Sequence, residues 1–229
     1  MSEDSNVRFY FKGPPNQLES EAAVVLPMKG GVPVPELEFG NQRHALRLLQ
    51  SGSDEPARSL RLELPSDTSP GTIEATVHFG GKSYPATIVV EELSRIVTEP
   101  RSVSLSCLPG SRPATTVRVT NAGNIRQQLE PQQTILMRHA DAISRGVRKA
   151  FKNTSGDLIS RMIVLGEELS SEPIREVRFD IKADSNELAA GDQQSVEIGA
   201  EIPRDIDRSV SWKGSLVLFR QAINVTLDM

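Results

Sequence analysis

Apolar and polar side chains alternate with a period of two through much of residues 60–90. Leu60, Leu62 and Leu64 share one face, then Ile73, Ala75, Val77 and Phe79, then Tyr84, Ala86, Ile88 and Val90. Successive side chains of a strand point to opposite faces, so this spacing predicts half-buried antiparallel strands. Gly80-Gly81 separates the last two runs, and a glycine pair accepts the positive φ angles of a two-residue turn, which makes Thr72–Val90 a predicted hairpin. Val7–Phe11, Ala22–Leu26 and Ala45–Leu49 read more weakly as strands between the turns Gly13-Pro14-Pro15 and Gly30-Gly31-Val32-Pro33. Six or seven short strands in about 95 residues suit an antiparallel sandwich over residues 1–95.

The pattern restarts after Glu99-Pro100. Val103, Leu105 and Cys107 share a face, Pro109-Gly110 marks a turn, and Val117 and Val119 follow in the next strand. Farther on Val177, Phe179 and Ile181 alternate, then Val196, Ile198, Ala200 and Ile202, and finally Ile223, Val225 and Leu227. These runs predict a second sandwich over residues 96–229, so the fold class is mainly β, with two tandem antiparallel sandwiches.

The two parts echo each other. Glu63-Leu64-Pro65-Ser66-Asp67 precedes the final hairpin of the first and Glu201-Ile202-Pro203-Arg204-Asp205 that of the second. In each, an inward apolar residue ends a strand, a proline stops ladder pairing, and the aspartate (Asp67, Asp205) is placed to bond a turn backbone. The run Leu62–Thr72 leading into Ile73–Val90 resembles the closing strands of bacterial Ig-like, fibronectin-like sandwich domains. Ser104-Leu105-Ser106-Cys107-Leu108-Pro109-Gly110 followed by Thr116-Val117-Arg118-Val119-Thr120-Asn121-Ala122-Gly123-Asn124 is similar to the V-x-N-x-G-N strand end of the same domains. The resemblance covers about a third of the chain. It implies two Ig-like units that act as adhesive, spacing or assembly elements, and it carries over no catalytic residue.

The second part departs from that family in about residues 130–170, which carry helical periodicity. Ile143, Val147, Ala150 and Phe151 fall on one side of a helix, and Arg145, Arg148, Lys149 and Lys152 on the other. Between Arg138 and Lys152 five bases stand against the single carboxylate Asp141. Asn153-Thr154-Ser155-Gly156 breaks the helix, and Asp157 can cap a second one in which Leu158, Ile159, Met162, Ile163, Gly166 and Leu169 recur at helical spacing. A helical hairpin inserted in the second sandwich is expected, with Val147 and Phe151 packed on the sheet so that truncating them destabilises the fold. The stripe Arg138, Arg145, Arg148, Lys149 and Lys152 reads either as a solvated face or as the contact element for an acidic partner or an assembly neighbour. An anionic membrane surface or nucleic acid would also attract it, although among these cations the only aromatic residue is Phe151, on the apolar side.

Composition narrows the picture further. The 229 residues are 38% hydrophobic and 24% charged, enough apolar material for packed cores. Net charge is −4, with 13 acidic and 9 basic side chains up to Arg95 and 17 of each beyond, which opposes nucleic-acid binding. No apolar run approaches the roughly 18 residues of a membrane-spanning helix. The start MSEDSNVRFYF lacks the order of a signal peptide, so a cytoplasmic location is expected, or an extracytoplasmic one if a leader precedes this sequence.

Catalytic chemistry is not predicted. Cys107 is the single cysteine, which rules out an internal disulfide and a cysteine-based zinc site, and its strand position reads as a buried thiol. His44, His78 and His139 have no second metal ligand at suitable spacing. Gly81-Lys82-Ser83 imitates the end of a phosphate loop within a hairpin context, and Glu91-Glu92 point to opposite faces of an extended chain. Trp212 reads as a core or interface anchor, and the sequons at Asn153 and Asn224 are matches expected by chance. The expectation is a non-enzymatic structural or protein-interaction module, without cofactor or metal, that binds a protein partner or copies of itself. The alternative is an exported surface- or carbohydrate-associated accessory module, which the aromatic content of 4% disfavours.

Overall fold

The computed structural model describes residues 7–20, 24–25, 34–40, 42–50, 57–152, 157–171 and 173–229. The expected Gly30–Pro33 turn, most of the expected Ala22–Leu26 strand, the Asn153–Gly156 break and the Asn153 sequon lie outside the described residues. The chain is mainly β, and it divides into two compact units. Unit 1 is Met1–Arg95 with Asn121–Arg126 and Ala189–Gly191; unit 2 is Ile96–Thr120, Gln127–Leu188 and Asp192–Met229.

Unit 1 contains β1 (Phe9–Gly13), β2 (Leu18–Ser20), β3 (Val24–Val25), β4 (Glu36–Phe39), β5 (Gln42–Ala45), β6 (Arg47–Gln50), β7 (Ala57–Leu62), β8 (Gly71–Phe79) and β9 (Lys82–Val90). Its strand path runs β6-β7-β2-β1-β9-β8-β4-β5, with β3 beside β2 on the same edge of β7. The β8–β9 hairpin forms as the alternation predicts, with Gly80 and Gly81 at φ +58° and +76° and Phe79 opposite Lys82. The run expected as one strand over Ala45–Leu49 is broken at Leu46. That residue is buried and is the sole link between β5 and β6, at opposite ends of the path. One residue reaches about 3.5 Å, whereas eight strands laid flat would hold those ends roughly 30 Å apart. The sheet therefore curls back toward itself, and its concave face encloses Phe9, Phe11, Leu18, Leu37, Leu46, Leu60, Leu62, Leu64, Val77 and Ile88.

Unit 1 is completed by the Asn121–Arg126 segment, where the V-x-N-x-G-N similarity acquires a physical cause. The Asn124 carboxamide is buried: its Oδ1 accepts from Leu93 N (2.6 Å), and its Nδ2 donates to Thr68 O (3.0 Å) and Glu91 O (2.9 Å). Ala122 N donates to Arg95 O and Asn124 N to Leu93 O, forming a short backbone ladder. A Cβ on Gly123 would stand 2.0 Å from Leu93 O, so the ladder closes only around glycine.

Unit 2 contains β10 (Ile96–Glu99), β11 (Ser102–Ser106), β12 (Ala114–Asn121), β13 (Gln127–Gln128), β14 (Gln132–His139), α1 (Ala142–Lys152), α2 (Leu158–Ser171), β15 (Ile174–Ala183), β16 (Glu187–Leu188), β17 (Gln193–Glu201), β18 (Trp212–Leu218) and β19 (Gln221–Asp228). Eight strands follow the order β10-β12-β17-β15-β14-β18-β19-β11, and β13 pairs with β16. The same closure operates here: end strands β10 and β11 are joined by Pro100-Arg101 alone. The enclosed core gathers every inward residue expected from alternation, including Val103, Leu105, Val117, Val119, Phe179, Ile198 and Val225, around a fully buried Trp212.

The insertion is shorter than the 130–170 expected from periodicity. Gln132–His139 is strand β14, paired with β15 from Gln132 to Arg138, and among the described residues the helices are confined to Ala142–Lys152 and Leu158–Ser171. Consecutive Ile135, Leu136 and Met137 mask the alternation there; Met137 is buried while Leu136 points out. The turn bonds expected of Asp67 and Asp205 are made by neighbours, Thr68 N and Oγ1 donating to Pro65 O, and Asp207 accepting from Ser209 N and Oγ.

Replacing Asn124 with Ala should lower stability by about 1–3 kcal/mol, since it strands one donor and two acceptors away from water. Asn124→Asp should cost more, because a carboxylate cannot donate to Thr68 O and Glu91 O and brings a buried charge. Urea denaturation together with amide exchange at Leu93 reads both; an Asp variant as stable as the parent would contradict this assignment.

Candidate functional site

The helical hairpin of unit 2 is the element that departs from the otherwise β architecture of the described residues. Helix α2 starts where the sequence places its cap, with Asp157 Oδ1 accepting from Ser160 N at 2.9 Å. That bond to the charged form holds the Asp157 carboxyl below its ordinary pKa. The helices pack mainly on each other through a face of small residues. Ala142, Gly146 and Ala150 are the buried positions of α1, and a Cβ on Gly146 would lie 3.0 Å from Leu165 Cδ1. Four-residue spacing places these three on one stripe, and their small size lets the helix axes approach.

This packing overturns the expectation that Val147 and Phe151 are buried on the sheet. Each is 41% exposed, and Ile143 is 69% exposed. The apolar residues of α2 behave likewise, with Leu158, Ile159, Met162 and Ile163 all more than half exposed. The physical reason is a competition between two faces of α1. The small-residue stripe permits the closer approach to α2, and taking it turns the large residues outward. Arg161 stands over the Phe151 ring at 5.7 Å, placing a cation against exposed aromatic surface.

The five sequence-predicted cations do not form one free stripe. Arg138 lies on β14 and lines, with His139, Ile143, Leu169 and Lys213, a cleft of about 260 Å³ at the hairpin base. Arg145 Nη2 lies 2.8 Å from His139 Nδ1, and Lys149 is ion-paired with Glu168 across the hairpin. Arg148 and Lys152 are exposed on α1. His139 ends β14 and meets Trp212 edge-to-face with centroids 4.5 Å apart. Trp212 Nε1 donates to Asp207 O at 3.2 Å, which satisfies its polar end inside the core.

Cys107 is buried just past β11, its Sγ 3.4 Å from Met229 Sδ. Burial, and then the nearby Asp228 carboxylate, raises the thiol pKa, the opposite of nucleophile activation. One arrangement was not anticipated from sequence. Ser83 Oγ lies 2.9 Å from His78 Nδ1, and His78 Nε2 lies 3.1 Å from Glu38 Oε2. Ser83 and His78 are cross-strand partners, and β4 brings in Glu38, so only sheet register unites them. Glu38 also accepts from Arg43 Nε at 3.0 Å. This partly exposed chain of four polar groups lies on solvated sheet surface, where hydrogen bonds of this kind contribute to strand pairing.

Native Cys107 should react slowly with a thiol reagent and rapidly in denaturant, and its native reaction should need more alkaline solution than a free thiol. Asp157→Ala should reduce the helical far-UV signal while leaving the β signal. In the parent, a lowered folded pKa means that the cap contributes fully above the ordinary carboxylate range and is lost as pH falls through that lowered value. Asp157→Asn should retain the cap without this acid dependence.

No protein-family model matches the chain, and no curated protein does. Among solved structures, a Porphyromonas gingivalis W83 protein of unknown function is similar over 98% of both chains, at 12% identity and a TM-score of 0.29. The titin A168–A169 structure is similar over 98% of this chain and 96% of its own, at 9% identity and a TM-score of 0.31. Domains 4 and 5 of the S-layer protein SbsC are similar over 93% and 81%, at 12% identity and a TM-score of 0.28.

Proposed function

We propose that this chain is a non-catalytic structural or interaction module, two Ig-like sandwiches that present the helical hairpin as their contact element. Strand order supports the Ig-like reading. In unit 2 the continuous path β10-β12-β17-β15-β14-β18-β19-β11 follows the order A-B-E-D-C-F-G of an Ig domain, with the first strand divided between its two ends and the D and C strands paired directly. In unit 1, β6-β7-β2 and β1-β9-β8-β4-β5 correspond to DEB and to AGFC with an added C′ strand. In both units a first strand runs parallel to the last, β1 on β9 and β11 on β19.

The observation that carries the function is the exposed apolar surface of the hairpin. Isolated exposed apolar residues are ordinary, but seven large ones concentrated on two packed helices are the kind of surface found at interaction sites. The Ser83-His78-Glu38 chain is the strongest alternative to a non-catalytic reading. Serine on Nδ1 and carboxylate on Nε2 reverse the usual assignment of the two imidazole nitrogens, and Arg43 competes for the carboxylate.

Val147→Ser combined with Phe151→Ser, Ile159→Ser and Met162→Ser should leave the melting temperature within a few degrees, because exposed positions contribute little to stability. The same variant should lose most of the parent's binding of an apolar fluorescent dye. A large drop in melting temperature would identify the face as core and overturn the reading. Separately, Ser83→Ala should leave unchanged any hydrolysis of an activated ester by the protein; a Ser83-dependent turnover would establish an enzyme.

A further inference from the structure

We propose that the tip half of the hairpin is a reversible anchor for an anionic lipid surface, an assignment that rests on the hairpin being the contact element. Three features converge there. The first two turns of α2 carry Leu158, Ile159, Met162, Ile163, Val164 and Leu165, with only Ser160 and Arg161 between them, so the helix is apolar on nearly every side. Phe151 reaches the same end at the last turn of α1 and is itself exposed. A helix end apolar on most sides matches a fluid surface that conforms around it, whereas a rigid partner buries one face.

Charge is sorted along the hairpin as well. Between Ala142 and Ile163 there are five cations, Arg145, Arg148, Lys149, Lys152 and Arg161, against one carboxylate, Asp157, which is engaged in capping α2. The other hairpin acids, Glu167 and Glu168, lie in the second half of α2, where Glu168 takes Lys149 as its ion partner, so the unopposed cations are those nearer the tip. Exposed apolar side chains flanked by cations are the features that hold a segment in the headgroup region of an anionic bilayer. A second copy docked tip to tip would instead oppose two cationic ends. Helix α2, at 14 residues, extends about 21 Å, so this element lies in the interface rather than crossing the hydrocarbon core. No helix among the described residues is long and apolar enough to cross a membrane.

The test uses the full chain carrying Phe151→Trp, with buried Trp212 as a constant background, and vesicles of phosphatidylcholine with or without phosphatidylglycerol. Co-flotation and a blue shift of tryptophan emission are expected with the anionic vesicles and not with the neutral ones. Replacing Arg148, Lys149 and Lys152 by Gln should weaken partitioning roughly tenfold or more. Ile159→Ser with Met162→Ser should abolish it without altering circular dichroism. Failure of the folded protein to bind anionic vesicles, or equal binding to neutral ones, would overturn the proposal. Should vesicles not bind while sedimentation reveals a dimer that Ile159→Ser with Met162→Ser dissociates, the lipid assignment falls and the contact-element reading stands. Absence of vesicle binding, self-association and dye binding together would overturn both.

Discussion

Curling of each sheet, enforced by a very short link between its two end strands, underlies most of what is seen in this chain. Leu46 alone joins β5 to β6, and Pro100-Arg101 alone joins β10 to β11. Neither link can span the width of a flat eight-stranded sheet, so each sheet closes around its own concave face. Closure turns an alternating pattern into a core, because all inward positions then converge on one interior and the outward positions meet water.

With the unit 2 sheet curled in this way, the hairpin between β14 and β15 finds its main packing partner in itself. Ala142, Gly146 and Ala150 allow α1 and α2 to approach until Leu165 fills the space above Gly146. The large apolar residues of both helices are consequently displaced outward, beside Arg148 and Lys152. The helix pair is thus satisfied through the small residues of α1 and keeps large apolar side chains on its outer side.

Unit 1 illustrates how a loop motif becomes structural. Asn124 satisfies one backbone donor and two backbone acceptors, and Gly123 permits the approach that makes those bonds possible. The segment follows β12 in the chain, yet its hydrogen bonds go to Thr68, Glu91, Leu93 and Arg95, so unit 1 is not a continuous stretch of sequence.

Period-two alternation determined the strands and their buried faces over most of the chain, because a residue's face in a pleated strand depends only on its parity. Turn chemistry determined the Gly80-Gly81 hairpin, and Asp157 marked the start of α2, since both are local backbone requirements. Other features depended on distant residues. The break at Leu46 had no glycine or proline to announce it. The turn between β18 and β19 uses Phe219 and Arg220 at positive φ, which the buried Phe219 ring helps to offset. The Ser83-His78-Glu38 chain exists only because β4 pairs beside β8. For α1, periodicity correctly separated an apolar from a basic side, but it could not say which stripe meets a neighbour. Tertiary packing decided that in favour of Ala142, Gly146 and Ala150, because close approach of two helices rewards small side chains, and amphipathicity calculated for one helix contains no information about the surface of the other.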